Sequence, residues 1–78
     1  MKALICGITG QDGSLLAKFL LEKGYEVVGT SRDISTASFH NLELLEISNK
    51  IKKVSMALND FRSVFDIIKS FNPTEIYN

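Results

Sequence analysis

A glycine-rich turn directly after a short apolar run constrains the fold of this 78-residue chain more than any other feature. Residues 3–6 (Ala-Leu-Ile-Cys) have the composition of a strand buried on both faces of a parallel sheet. A tight turn and a helix start after such a strand hold a dinucleotide pyrophosphate on backbone N–H groups. The sequence therefore predicts a cofactor-binding loop made of Gly7, Ile8, Thr9, Gly10, Gln11, Asp12 and Gly13.

Each glycine of this loop has a separate predicted role. Gly7 allows the chain to turn sharply off the strand. Gly10 allows the backbone to approach the phosphates, and Gly13 allows the new helix to pack closely against the sheet. The unpaired N–H groups at the start of that helix, together with the positive end of its dipole, then face the anion.

Strand and helix patterns alternate along the whole chain. Strands are predicted at residues 3–6, 25–29, 51–56 and 75–77, and a loop rich in Ser and Thr at residues 31–38. Apolar residues at helical spacing predict three helices. The first helix runs from Ser14 to a stop at Gly24, and the second covers residues 39–47. The third begins at a cap, Asn59 or Asp60, and ends before Pro73. Its apolar residues are Phe61, Val64, Phe65, Ile68 and Phe71.

Successive βα units with right-handed crossovers build a doubly wound parallel sheet. We therefore predict an α/β protein, consisting of half of a doubly wound Rossmann fold with strand order 3-2-1-4 and flanking helices.

Composition excludes several classes of partner. Nine Lys and Arg residues balance nine Asp and Glu residues, so no net charge favours nucleic acid or an anionic membrane surface. No segment approaches the ~20 apolar residues that cross a bilayer, and the residues before Gly7 are too few for a signal-peptide core. Cys6 is the single cysteine. We expect it to be a small buried apolar residue in a protein of the reducing cytoplasm.

The residues after the second predicted strand indicate which dinucleotide binds. NAD-specific sites have an acidic residue there, which binds the ribose 2′-hydroxyl. This chain instead has Thr30 and Ser31 followed by Arg32, whose guanidinium suits the 2′-phosphate of NADP. NADP is therefore the expected cofactor. Two alternatives stay open: Asp33 serves as the ribose acid and favours NAD, or Arg32 is a solvated surface charge.

The sequence also resembles a known enzyme family over its whole length. The string GITGQDGS at residues 7–14, the segment FLLEKGYEV at residues 19–27 and the final PTEIYN are similar to the amino terminus of GDP-mannose 4,6-dehydratases. Within the extended short-chain dehydrogenase/reductase superfamily, Gln11 and Asp12 distinguish this loop from a generic glycine triplet.

The resemblance implies a chemistry and a set of contacts. Enzymes of this family hold NADP, oxidise GDP-mannose at C4, eliminate water across C5 and C6, and return the hydride to C6. The resemblance assigns Arg32 to the NADP 2′-phosphate, Ser35 to the same loop and Leu58 to the adenine. The chain departs from the common family pattern at three positions: Asp33 and Asn41 stand where many members have arginine, and Ala57 replaces an aspartate.

No catalytic residue is expected within residues 1–78. The resemblance implies a Ser or Thr, a Glu and a Tyr-x-x-x-Lys pair, all after the fourth strand, so the chain alone is expected to be inactive. Tyr25 and Tyr77 lack that spacing and are predicted to be packing residues. We expect His40 to face solvent or to pack, and Asp12 to bond nearby backbone N–H groups. No metal-ligand cluster is expected.

The chain is thus expected to be the amino-terminal part of a NADP-binding Rossmann domain, without substrate-binding and catalytic portions. GDP-mannose is the substrate expected for the full-length family. A different class of function stays open, because an unpaired edge strand and apolar helix faces favour a self-associating, non-catalytic module. A homo-oligomer is accordingly expected. A third alternative is a related sugar-nucleotide epimerase or dehydratase.

Overall fold

Four strands and the helices between them make up the structure, a computed structural model that describes residues 1–78. Strands and helices alternate in the predicted order, with one 3₁₀ turn, Ser48–Lys50, before the third strand. The bounds are Lys2–Cys6 (β1), Gln11–Glu22 (α1), Glu26–Ser31 (β2), His40–Leu44 (α2), Lys52–Ser55 (β3), Phe61–Phe71 (α3) and Glu75–Tyr77 (β4).

The strands form one parallel sheet in the order β3-β2-β1-β4, which confirms the predicted half of a doubly wound fold. β1 lies in the interior of the sheet, with Leu4 opposite Val28 of β2 and Ile76 of β4. Ala3, Leu4 and Ile5 are each at most 1% exposed. Burial on both faces explains why β1 is an uninterrupted apolar run.

The two faces of the sheet are covered unequally. One face packs in the main core against apolar side chains of α1 and α2, including Ala17, Leu20 and Leu42. On the opposite face, Val28 lies beside Ile67 of α3. No residue of α3 is fully buried, and the Phe61 side chain is 80% exposed. The α3 layer therefore leaves apolar surface uncovered.

Ile8 anchors the glycine loop onto β2. A Cβ atom built on Gly29 would lie 2.4 Å from Cγ1 of Ile8, and Ile8 itself is completely buried. Only a residue without a side chain allows this approach. The pair fixes the position at which the chain turns from β1 into α1.

Two element boundaries near the loop differ from the prediction. α1 begins at Gln11 rather than Ser14, because Gly10 already has the extended conformation of an N-cap residue (φ −76°, ψ 165°). β2 continues to Ser31 rather than ending at Gly29, since its pairing with β3 extends to Ser55. Both shifts lengthen the regular structure that flanks the site.

The predicted helix over residues 39–47 is wrong in length. α2 contains only five residues, because Glu46 has a positive φ of 60°, which a right-handed helix does not allow. The third helix is as predicted, and Asp60 rather than Asn59 is its N-cap. Asn72, in the left-handed region at φ 53°, ends that helix before Pro73 is reached.

Candidate functional site

The glycine loop is held onto the end of β2 by its own backbone. The N–H groups of Gly7 and Ile8 both donate to the carbonyl oxygen of Thr30, each at 3.0 Å. Gly7 has a φ of +76°, a conformation that favours glycine. The N–H of Gly10 then donates to the Gly7 carbonyl at 3.3 Å, which closes a tight turn.

Gly13 allows α1 to start directly above this turn. A Cβ atom built on Gly13 would lie 2.5 Å from the carbonyl oxygen of Gly7. A Cβ atom on Gly10 would lie 3.7 Å from the same oxygen, which is an ordinary contact. The packing of the protein itself therefore requires glycine at position 13, whereas at position 10 it would accommodate a Cβ atom.

The first turn of α1 presents unpaired donors. Neither backbone nor side-chain oxygens accept hydrogen bonds from the N–H groups of Gln11, Asp12 and Gly13, and Gly10 offers no side-chain cap. The first N–H with a partner is that of Ser14, which donates to Gly10 at 3.0 Å. Unpaired N–H groups and the positive end of the helix dipole together favour an anion here.

The Asp12 carboxylate does not take up these donors. The expectation that it bonds nearby backbone N–H groups is wrong, because Asp12 is exposed and its side chain makes no hydrogen bond. The N–H groups of Gln11, Asp12 and Gly13 thus stay free for a ligand.

Two cavities open at the carboxyl end of the sheet and share Cys6 and Gly7. The first, which we call the Arg32 cavity, has a volume of about 340 Å³. It is lined by Cys6, Gly7, Thr30, Ser31, Arg32, Met56, Leu58 and Asn59. The second, the Gln11 cavity, has a volume of about 590 Å³. It is lined by Ile5, Cys6, Gly7, Gly10, Gln11, Asp12, Gly13, Leu16, Tyr77 and Asn78.

The structure brings most of the sequence-predicted site residues to these cavities. Arg32 and Leu58 line one cavity together with Gly7, although Arg32 and Leu58 are 26 positions apart in the sequence. Arg32 is the only charged residue lining that cavity. Four residues of the glycine loop line only the Gln11 cavity: Gly10, Gln11, Asp12 and Gly13.

Three predicted site residues line neither cavity. Ile8 is buried beneath the loop, and the carbonyl of Thr9 accepts a hydrogen bond from Asn41. Ser35 lies outside the Arg32 cavity, where its hydroxyl donates to Oδ1 of Asp33 at 2.6 Å.

Asp33 is engaged in a local turn. Its Oδ1 also accepts from the backbone N–H of Ser35 at 3.0 Å. The hydrogen bond from the Ser35 hydroxyl, followed by that from its backbone, lowers the pKa of the Asp33 carboxyl. The carboxylate is ionised and paired within its own loop, and it does not line the Arg32 cavity.

The sequence prediction for Cys6 is wrong. Cys6 is half-buried rather than buried, because it ends β1 at the point where both cavities open. Asn59 and Met56 also line the Arg32 cavity and were missed. Their position after β3 is the signal that could have found them, since ligands of open α/β sheets bind beyond the carboxyl ends of the strands.

Tyr25 and Tyr77 pack against the main core, as predicted, and their hydroxyls converge on one carboxylate. Tyr25 donates to Oε2 of Glu75 at 3.1 Å, and Tyr77 donates to Oε1 at 2.6 Å.

His40 is exposed at the start of α2. No cluster of His, Cys, Asp and Glu side chains is suited to a metal ion, and no helix has the length and apolar character to cross a membrane.

Comparison with known proteins agrees with this arrangement. The sequence profile of the family described as GDP-mannose 4,6 dehydratase matches residues 4–78. The chain belongs to this family. It is 48% identical to the human GDP-mannose 4,6 dehydratase and 43% identical to that of Yersinia enterocolitica. These alignments include 97% and 99% of the chain, respectively, and 22% of each relative, so the chain spans about a fifth of their length.

Solved structures of two enzymes share the fold. The Bordetella bronchiseptica enzyme WbmH, in complex with NAD+, superposes with a TM-score of 0.75 at 31% identity, over 96% of this chain and 24% of WbmH. UDP-glucose 4-epimerase from Thermotoga maritima, with UDP-glucose, superposes with a TM-score of 0.78 at 22% identity, over 97% and 23%. Family membership and the α/β fold predicted from the sequence are both confirmed.

Proposed function

We propose that the chain binds NADP across the glycine loop, with the pyrophosphate at the start of α1 and the 2′-phosphate at Arg32. One observation carries this proposal. Three unpaired N–H groups at residues 11–13 lie at the same edge of the sheet as a cavity whose only charged lining residue is Arg32. Two sites for anions, joined through Gly7, match the pyrophosphate and the 2′-phosphate of this dinucleotide.

The residues present fit such a cofactor. Gly10 has no side chain, so a phosphate oxygen can approach its backbone closely. Gln11, Asp12 and Gly13 supply backbone N–H donors. Leu58 and Met56 give the Arg32 cavity an apolar side suited to the adenine ring.

The other assigned residues act from behind the cavities in this proposal. Ile8 is the buried anchor of the loop, and Thr9 connects it to α2. Ser35 holds Asp33 within the loop that follows Arg32, which keeps that carboxylate away from the 2′-phosphate. This pairing favours NADP over NAD, because the carboxylate that would receive the ribose 2′-hydroxyl is held toward Ser35 and does not line the Arg32 cavity.

We further propose that residues 1–78 are the amino-terminal, NADP-binding part of a Rossmann domain that serves the dehydration of GDP-mannose. The names of the relatives and the match of the family profile support this substrate. The cofactor would supply a transient hydride acceptor. This chain's residues would bind and orient it, while catalytic and substrate-binding groups would come from outside residues 1–78. A cytoplasmic location belongs to the same proposal.

An NMR titration of the ¹⁵N-labelled chain tests cofactor binding. Addition of NADP should shift the amide signals of residues 10–13 and of Arg32 and Leu58, and leave those of α3 unchanged. NAD, which has the adenine but lacks the 2′-phosphate, should shift the signals of the glycine loop and of Leu58 but not that of Arg32. Absence of shifts at the glycine loop with either nucleotide would overturn the proposal.

A second candidate function is self-association. It is favoured by the exposed apolar surface of α3, where Phe61, Phe65 and Ile68 are 80%, 47% and 37% exposed, and by the free edge of β4. In this case the chain would form homo-oligomers through α3, and cofactor binding would be independent of them.

A further inference from the structure

Asn41 of α2 makes the only hydrogen bond by which a side chain from another element holds the glycine loop. Its Nδ2 donates to the carbonyl oxygen of Thr9 at 3.0 Å, in a partly buried position, across 32 residues of sequence. The neighbouring Leu42 is completely buried in the main core, so the helix that carries Asn41 is firmly placed.

The bond acts on the half of the loop that has few other restraints. Residues 7 and 8 are fixed by two hydrogen bonds to Thr30 and by the buried Ile8 side chain. The peptide between Thr9 and Gly10 has only the 3.3 Å bond from Gly10 to Gly7 and the bond from Asn41. This peptide leads directly into the three unpaired N–H groups of α1.

We propose that Asn41 is a positioning residue for the pyrophosphate site. By holding the Thr9 carbonyl toward α2, it fixes the peptide that orients the first N–H groups of α1. The inference rests on the proposed function, since the orientation matters only if an anion binds there.

Asn41→Ala and the isosteric Asn41→Asp test this role. An ionised carboxylate cannot donate to the Thr9 carbonyl, so both variants should weaken NADP binding by about fivefold, the size expected for one hydrogen bond. Binding of ADP, which has a pyrophosphate, should weaken likewise, whereas binding of adenosine 2′-monophosphate, which lacks one, should be unchanged. His40→Ala, at the exposed neighbouring position, is the control and should bind like the wild type.

Acidic pH separates hydrogen bonding from packing. Once the carboxyl group introduced by Asn41→Asp is protonated, it can donate again, so the NADP affinity of this variant relative to the wild type should recover as pH approaches about 4. The amide signals of Gly10 and Gln11 in the free Asn41→Asp variant should also move from their wild-type positions. If the wild type binds NADP and both variants bind it equally well, Asn41 has no positioning role. If the wild type binds neither NADP nor ADP, the proposed function itself fails.

Discussion

The carbonyl oxygen of Gly7 occupies the space in which a side chain at Gly13 would begin, 2.5 Å from an ideal Cβ position. Because this oxygen belongs to the backbone, it can move only if the turn or α1 moves. Overpacking of this kind costs about 1–3 kcal/mol, and the better helix propensity of alanine offsets at most ~1 kcal/mol. We expect Gly13→Ala to lower the free energy of unfolding by about 1–2 kcal/mol, measured by urea denaturation.

Gly10→Ala provides the matched contrast. Its Cβ atom would meet Gly7 at an ordinary 3.7 Å, so the loss in stability should stay below about 1 kcal/mol. The new methyl group would instead stand where the phosphates approach, and NADP affinity should fall at least about tenfold, or 1.4 kcal/mol. A Gly10→Ala variant that binds NADP like the wild type would separate this glycine from the cofactor.

The cap of α3 gives a second test of stability. Oδ1 of Asp60 accepts a hydrogen bond from the Arg62 N–H at 3.1 Å, whereas Asn59 caps nothing. Asp60→Ala should cost about 1 kcal/mol of unfolding free energy, the usual value for an N-cap. Asn59→Ala should remain within about 0.5 kcal/mol of the wild type. Equal losses in the two variants would contradict the assignment of the cap.

The hydroxyl groups around Glu75 predict a pH dependence at the alkaline end. Partial burial and the Glu75 carboxylate raise the pKa of Tyr25, and the hydrogen bond to Glu75 together with burial raises that of Tyr77. In the folded state both tyrosines therefore hold their protons to higher pH than in the unfolded state, where the pKa is about 10. Their contribution to stability is complete below about pH 10 and is lost as pH rises through the raised values.

Thermal unfolding at a series of pH values measures this effect. In the wild type, part of the fall in stability above about pH 10 comes from these two groups. Tyr25→Phe and Tyr77→Phe should each flatten the fall, and Glu75→Gln, which removes the charge but keeps an acceptor, should also flatten it. An unchanged alkaline profile in all three variants would contradict the linkage.

The exposed apolar side chains of α3 predict association. Light scattering should show an average mass that rises with concentration above the 8.7 kDa of one chain. Phe65→Asp, on the 47% exposed side chain, should return the chain to a monomer, whereas Arg62→Ala on the same helix should not. A wild type that is monomeric at all concentrations would exclude the self-association candidate.

The sheet could be predicted from the sequence because the residue patterns that indicate its strands and helices are local and strong. The apolar run of β1, the glycines that predict a turn between a strand and a helix, and the helical period of α3 all correspond to the observed elements. The end of α2 was missed because it depends on the positive φ of Glu46, which propensity does not show. Asn41 was missed as a site residue because its hydrogen bond to Thr9 joins segments 32 residues apart, and only the folded chain shows this contact.

The ratio of NADP to NAD affinity, measured by calorimetric titration of the wild type and Arg32→Ala, tests the proposed function most directly. Charge-assisted hydrogen bonds contribute about 1.5–3 kcal/mol, so Arg32→Ala should weaken NADP binding by at least about tenfold and leave NAD binding unchanged. Arg62→Ala, an exposed arginine on α3, is the control and should change neither. We predict that the wild type prefers NADP and that Arg32→Ala loses this preference. The proposed function would be contradicted if the wild type binds NAD more tightly than NADP, or if Arg32→Ala still prefers NADP.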